Sequence, residues 1–301
     1  MSAAFQDFAV GKFQEGLAKL DACDHWHDDR VDLDGPFYLG FPQKAGWGEG
    51  LLIASLLKRH CEFYGRRIKA FAHTSLCSIL ADDPSFEMFG LADQDFRSRC
   101  ARSPLAVLKA SLAGELLSLP FVPIAVTDAL PRVNSSAHRR IGVSWASVDN
   151  GKDIPAKSIP FADFLSIFRD LDGEIVSFQR AKLEDKKKLE TAFSDRCVVL
   201  SDNDLNARDQ ARIVREIRAL DCMVTISTTT AHIAACLGVP VVLIANRRGG
   251  PQWFWCAQAV HDKCFYHTVD VVLGSEKDGR REWWPDCIDR ARCGLSSALK
   301  N

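Results

Sequence analysis

The chain has 301 residues, is 47% hydrophobic, and sets 38 lysines and arginines against 39 aspartates and glutamates, for a net charge of -1. That apolar fraction is ample for a buried core, and the length suits two α/β domains of about 150 residues each. The balanced charge gives no global field for nucleic acid or an anionic membrane, and no run of about 18 apolar residues is there to span a bilayer. The 11 cysteines (Cys23, Cys61, Cys77, Cys100, Cys197, Cys222, Cys236, Cys256, Cys264, Cys287 and Cys293) are odd in number and form no CxxC pair. Most lie among apolar residues, so they read as reduced thiols in a cytosol and not as a disulfide framework or zinc site. Met1 to Leu20 mixes charged with apolar residues and does not read as a signal peptide. The expected setting is soluble and cytoplasmic.

Residues 5–22 place Phe5, Phe8, Phe13, Leu17 and Leu20 at helical spacing. Pro36 to Pro42 reads as a buried strand and Lys44 to Gly50 as a glycine-rich loop. Leu51 to Tyr64 reads as a helix stopped by Gly65, and Arg67 to His73 as the next strand. A strand, loop, helix and strand in that order imply parallel pairing. Residues 75–120 read as mainly helical. Residues 121–139 turn from apolar to polar and Pro-punctuated, which places a boundary between domains 1–138 and 139–301.

The second half alternates more sharply. Strands are expected at Arg140–Trp145, Glu174–Gln179, Cys197–Leu200, Cys222–Ser227 and Val239–Ala245. Helices are expected at Phe161–Leu171, Leu183–Phe193, Asp209–Leu220, Thr230–Leu237 and 286–299. Such alternation argues for a doubly wound parallel sheet, whose ligands bind at the carboxyl ends of the strands.

Three loops after strands carry chemistry-bearing residues. Ser227-Thr-Thr-Thr-Ala-His232 lines up four hydroxyls at a strand-to-helix turn. Hydroxyls, free N–H groups and the positive end of the helix dipole together make a phosphate seat; plain capping, with His232 packed on the sheet, is the competing reading. The loop after Trp145 runs to Lys157-Ser-Ile-Pro160, where Lys157 either brings a cation to a pyrophosphate or is simply solvated. Gly46-Trp-Gly-Glu-Gly50 lets the backbone approach a ligand and offers Glu49 as a general base, or is a plain turn with a solvated carboxylate. The arginines of Arg247-Arg-Gly-Gly-Pro251 either reach phosphates or sit on a surface turn. Trp253, Trp255, Trp283 and Trp284 are either core or a stacking platform for a sugar or base. Asp24-His-Trp-His-Asp-Asp29 has no matching cluster elsewhere and reads as a solvated helix end, not a metal site.

The order Ile141-Gly-Val-Ser-Trp-Ala146, Lys157-Ser-Ile-Pro160, Ile175-Val-Ser-Phe-Gln179, Leu220 to Pro240 and Trp253-Phe-Trp255 resembles the heptosyltransferase-like glycosyltransferases, including those fused to tetratricopeptide repeats. The resemblance covers roughly residues 140–285 and is most specific over Thr230-Ala-His-Ile-Ala-Ala-Cys-Leu-Gly-Val-Pro240. It implies a GT-B-like α/β architecture of two Rossmann-like domains facing a cleft, with metal-independent transfer and no cofactor. It implies a nucleotide-diphosphate sugar donor bound mainly by the C-terminal domain, and a carbohydrate, lipid-linked or protein acceptor. Carried over, Lys157 and the Thr228, Thr229, Thr230 and His232 turn hold the donor phosphates, with Gln179 near the nucleotide; Trp145 and Arg247, each at or after a strand end, are counted with the donor site. Gly48-Glu49-Gly50-Leu51 is similar to the family's acidic Gly-Asp-x-Leu loop, which makes Glu49 the base and Gly46, Gly48 and Gly50 its acceptor-side loop. Ser227 stands where the family often has Asp. A non-catalytic GT-B-like nucleotide or nucleotide-sugar binding module is the alternative. A dinucleotide enzyme is disfavoured, because no GxGxxG loop with a following ribose-binding acid is present.

Overall fold

The structure, a computed structural model, describes residues 6–7, 10, 12–21, 37–39, 47–90, 117–126, 139–147, 158–180, 183–201, 205, 210–245, 253–261, 265–274 and 284–300. The described strands are β1 (Phe37–Tyr38), β2 (Ile68–Ala72), β3 (Phe86–Gly90), β4 (Arg139–Ser144), β5 (Gly173–Ser177), β6 (Cys197–Val199), β7 (Cys222–Ile226), β8 (Val241–Ala245) and β9 (Val269–Leu273). The first three form one parallel sheet in the order β1-β2-β3. The rest form a second, all-parallel sheet in the order β6-β5-β4-β7-β8-β9. Numbered within that sheet, this is the dinucleotide-fold order, in which the winding reverses between the first and fourth strands, here β4 and β7. Every residue of β7 and of β8 is buried, as expected of strands covered on both faces.

The described helices are α1 (Phe13–Asp21), α2 (Trp47–Tyr64), α3 (Thr74–Leu80), α4 (Phe161–Leu165, continued by a 3-10 turn, Ser166–Phe168), α5 (Leu183–Phe193), α6 (Ala211–Arg218), α7 (Thr229–Cys236), α8 (Trp253–Val260) and α9 (Trp284–Ala298). Past their ends, α2 and α7 meet glycines in the left-handed region, Gly65 at φ 63° and Gly238 at φ 72°.

Three elements differ from the sequence expectation. Residues 75–120 do not read through as helix, because β3 lies within them. Asp83 and Pro84 end the helical run, and Phe86 then pairs in register with Ile68 of β2. β9 was not expected; Val269-Asp-Val-Val-Leu273 pairs with β8 at the sheet edge. The expected loop at 44–50 is, from Trp47 on, the first turn of α2. Gly48 and Gly50 serve close packing and not a loop conformation: a Cβ at Gly50 would lie 2.9 Å from the Leu39 carbonyl oxygen and 2.7 Å from Leu76.

α2 explains how the halves are joined. Residues 50–61 are buried on every side of the helix, polar Ser55, Lys58, Arg59 and His60 included. A helix buried all round lies between other elements and not on a surface. One hydrophobic cluster therefore runs from Phe37 through α2 and α3 to α7, α8 and Leu273, so both sheets share it. The other face of the second sheet packs Trp145, Phe164, Phe168, Phe193, Ile288 and Leu295. Each fully buried Leu, Ile or Phe contributes about 1.5–3 kcal/mol. Polar ties reinforce the junction. Arg59 donates to the Phe265 carbonyl, the Ile124 N–H donates to the Cys236 carbonyl at 2.8 Å, and the Ala125 N–H donates to Asp83 at 2.7 Å.

Candidate functional site

The switch point between β4 and β7 is where an open parallel sheet receives a ligand. At the end of β4, Trp145 is buried and packs on Phe161 and Phe164, with ring centroids 4.9 and 5.7 Å away. Gln179, just beyond β5, reaches across and braces the strand-end loop. Its carbonyl oxygen accepts from Trp145 N (2.9 Å), Ala146 N (2.8 Å) and Ser144 Oγ (3.2 Å). Its amide nitrogen donates to the carbonyls of Ala146 (2.9 Å) and Arg180 (2.8 Å). Both amide protons are committed, so the side chain shapes the loop and has no donor left for a ligand.

At the end of β7, the chain turns into α7. Thr228 is the N-cap, with extended backbone (φ -137°, ψ 167°), and its hydroxyl accepts from Ala231 N. Thr228 and Thr230 hydroxyls lie 2.9 Å apart, and Thr225 extends the chain at 3.4 Å. Ser227, Thr228, Thr229 and Thr230 are all half-buried, so the hydroxyls line a reachable turn. The N–H groups of Thr229 and Thr230, at the first two helical positions, have no intrahelical acceptor by geometry, and the helix dipole is positive there. This turn is able to receive an anion.

His232 is placed differently from its neighbours. It is 3% exposed, and its ring is enclosed by Phe254, Trp255 and Tyr266, with Nδ1 2.9 Å from the Tyr266 hydroxyl. Burial pushes its pKa down to about 3, so the ring is neutral. Burial above all, then Cys236, and lastly the Glu49 carboxylate push the Tyr266 hydroxyl well above its ordinary range, so it stays protonated. The Trp255 indole N–H donates to Ser227 Oγ at 2.9 Å and ties the aromatic cluster to the turn. Trp253 and Trp255 are therefore core.

The first turn of α2 sits on this cluster. A Cβ at Gly48 would meet His232 Cδ2 at 2.5 Å and Nε2 at 2.8 Å, so only glycine fits. Half-buried Glu49 follows directly, and its charge reaches Tyr266. The structure thus brings together Gly48, Glu49, His232 and the Thr228–Thr230 turn, while Trp145 and Gln179 stand at the ends of the neighbouring strands β4 and β5. Lys157, Arg247 and Gly46 lie outside the described residues, as does the Asp24–Asp29 cluster. Tyr266 and the Trp255–Ser227 tie were not anticipated. Tyr266 lies in no periodic segment, so nothing local marked it. Among the described residues, no group of three or more His, Cys, Asp or Glu side chains is gathered as a metal would need. No described helix is long and apolar enough to cross a membrane.

No protein-family model matches the sequence. No curated protein matches it either. Solved structures do. A glycosyl transferase family 9 protein from Veillonella parvula matches with a TM-score of 0.58 at 10% identity, over 91% of this chain and 99% of that one. The E. coli ADP-heptose lipopolysaccharide heptosyltransferase II matches with a TM-score of 0.56 at 16% identity, over 88% of this chain and 98% of that one. E. coli heptosyltransferase WaaC, solved with ADP, matches with a TM-score of 0.56 at 10% identity, over 87% of this chain and 99% of that one. At such identities the likeness establishes the fold: the chain has the GT-B-like parallel α/β fold of heptosyltransferases.

Proposed function

We propose that the chain is a glycosyltransferase that moves a sugar from a nucleotide-diphosphate sugar to an acceptor hydroxyl without a metal. The observation that carries this reading is the meeting of two turns. The Glu49 turn of α2 and the hydroxyl-capped turn of α7 touch through Gly48 and His232, beside the switch point of the second sheet. A base and an anion seat are then adjacent, as transfer from a diphosphate requires. The fold shared with structures solved with ADP or named for ADP-heptose supports the same donor class.

In this reading the N-terminal turn of α7 holds the diphosphate with its hydroxyls and its N–H groups. Negative charge grows on the leaving phosphate as the anomeric C–O bond breaks, and preorganised donors stabilise it, at about 3–4 kcal/mol per donor where such donors have been removed. Glu49 takes the proton of the acceptor hydroxyl, whose oxygen forms the new bond. Lys157 is assigned to the donor phosphates by family resemblance, and Arg247 by its place after a strand end. The acceptor is a carbohydrate, a lipid-linked group or a protein, and the domain division 1–138 and 139–301 belongs to the same proposal.

The test is a thermal-stability screen with nucleoside diphosphates and their sugars, followed by transfer assays. A ligand at 100 times its Kd stabilises the fold by about 2.7 kcal/mol. Glu49→Gln should retain nucleotide binding and lose transfer. Transfer at the wild-type rate by Glu49→Gln removes the assigned base. Binding without transfer or donor hydrolysis by the wild type replaces the enzyme with a binding module.

A further inference from the structure

We infer that His232 is a positioning residue: its ring is the spacer on which the Glu49-bearing turn of α2 docks against the hydroxyl-bearing turn of α7. The inference rests on the reading above, in which those two turns serve one substrate.

The sequence places His232 in a first helical turn beside three threonines, where a histidine is expected to meet phosphate. The structure gives the ring a different set of contacts. Trp255 lies 4.7 Å from it at 36°, Phe254 at 5.4 Å and Tyr266 at 5.8 Å, with Tyr266 also held at Nδ1. Gly48 closes the remaining side, near enough that no Cβ fits there. A ring walled by three aromatic side chains has nowhere to shift, so the separation between the α2 and α7 turns is set by its thickness. The same cluster reaches the other turn, because Trp255 donates to Ser227, next to the Thr228 cap. One buried aromatic unit therefore fixes both the base and the phosphate seat. Cys236, one helical turn further along α7, donates to the Leu51 carbonyl of α2 and continues the contact line. Neutrality of the ring suits a spacer and not a phosphate ligand. Small displacements matter here: misplacing a reacting group by about 1 Å costs on the order of a hundredfold in rate.

The test has two parts, both on the full chain. The first is a size exchange read by urea unfolding at pH 7. Gly48→Ala lowers the midpoint in the wild-type background and leaves it unchanged or raised in the His232→Ala background, where the methyl has room. Equal losses in both backgrounds overturn the spacer role. The second uses ADP for binding and ADP-heptose for turnover. His232→Asn and Tyr266→Phe are expected to keep the ADP Kd within about threefold, while kcat falls by about tenfold or more at unchanged donor KM. A tenfold or greater weakening of ADP binding by His232→Asn makes the ring a phosphate ligand; it overturns the inference and leaves the nucleotide-sugar reading standing. Failure of the wild type to bind any nucleoside diphosphate removes that reading instead, and the size exchange then decides the spacer contact alone.

Discussion

Replacing Gln179 by alanine tests how the loop at the switch point is held. The substitution removes five hydrogen bonds made by one buried side chain. Their separate net values do not simply add, and the larger cost is what remains behind. The N–H of buried Trp145 loses its acceptor, as does that of half-buried Ala146. An unsatisfied buried donor costs about 1–3 kcal/mol, and water reaches Ala146 more readily, so the total is about 2–4 kcal/mol. That is a large share of a typical folding stability of about 5–15 kcal/mol. At about 2–4 °C per kcal/mol for large domains, Tm falls by about 4–16 °C. Urea unfolding, with an unchanged slope, reads the loss directly. Gln179→Glu sharpens the test, since it keeps the acceptor but sets an oxygen against the Ala146 and Arg180 carbonyls. It should be destabilised at neutral pH and partly restored when protonated. A loss below about 0.5 kcal/mol for Gln179→Ala, or wild-type stability for Gln179→Glu, refutes the brace.

Further expectations concern buried groups. Lys58 is buried against Asp83 (3.0 Å), Glu62 and Ser85, so Lys58→Met, which strands the fully buried Asp83, should cost about 3–5 kcal/mol by urea unfolding, and Lys58→Met/Asp83→Asn less than the sum of the single losses. Burial opposes the Lys58 charge, but Glu62 and Asp83 outweigh it and raise its pKa; its contribution is thus complete below 10.5 and is lost as pH climbs through the raised value, which an alkaline unfolding series reads. His232 has the opposite sign: its folded pKa of about 3 lies below the ordinary 6.5, so the unfolded chain binds more protons between those values. Wild-type stability should therefore fall with acidification through that window by up to about 1.4 kcal/mol per pH unit more than that of His232→Asn. Burial pushes the Cys222 and Cys236 thiols up to about 12, whereas Cys293 is exposed, so a thiol reagent at pH 8 should label Cys293 in the native protein and Cys222 and Cys236 only on unfolding.

Much of the second sheet was legible in the sequence, because β7 and β8 are nearly continuous apolar runs, β4 and β5 have short apolar centres, and helix stops such as Gly238 punctuate the alternation. β3 and β9 were not. Phe86-Glu-Met-Phe-Gly90 and Val269-Asp-Val-Val-Leu273 are short runs, and each stands at the edge of its described sheet with one strand neighbour, β2 and β8 respectively. The hydroxyl cap was legible as local chemistry, since Ser, Thr and helix N-termini go together. The role of the glycines was misread, as Trp47-Gly-Glu-Gly50 has loop composition and yet begins a helix. What requires glycine there is the His232 ring and the Leu39 backbone, long-range contacts that no local pattern encodes. The setting of His232 was hidden for the same reason, because Trp255 and Tyr266 enclose it from 23 and 34 residues away.

Titration calorimetry with ADP, GDP and UDP, on the wild type and on Thr228→Ala/Thr230→Val, tests the central claim most directly. The account predicts saturable binding of one nucleoside diphosphate by the wild type and a loss of about tenfold or more in the variant, as the hydroxyl-capped turn of α7 is the phosphate seat. Equal affinity in both proteins, or no binding of any nucleoside diphosphate by the folded wild type, contradicts it.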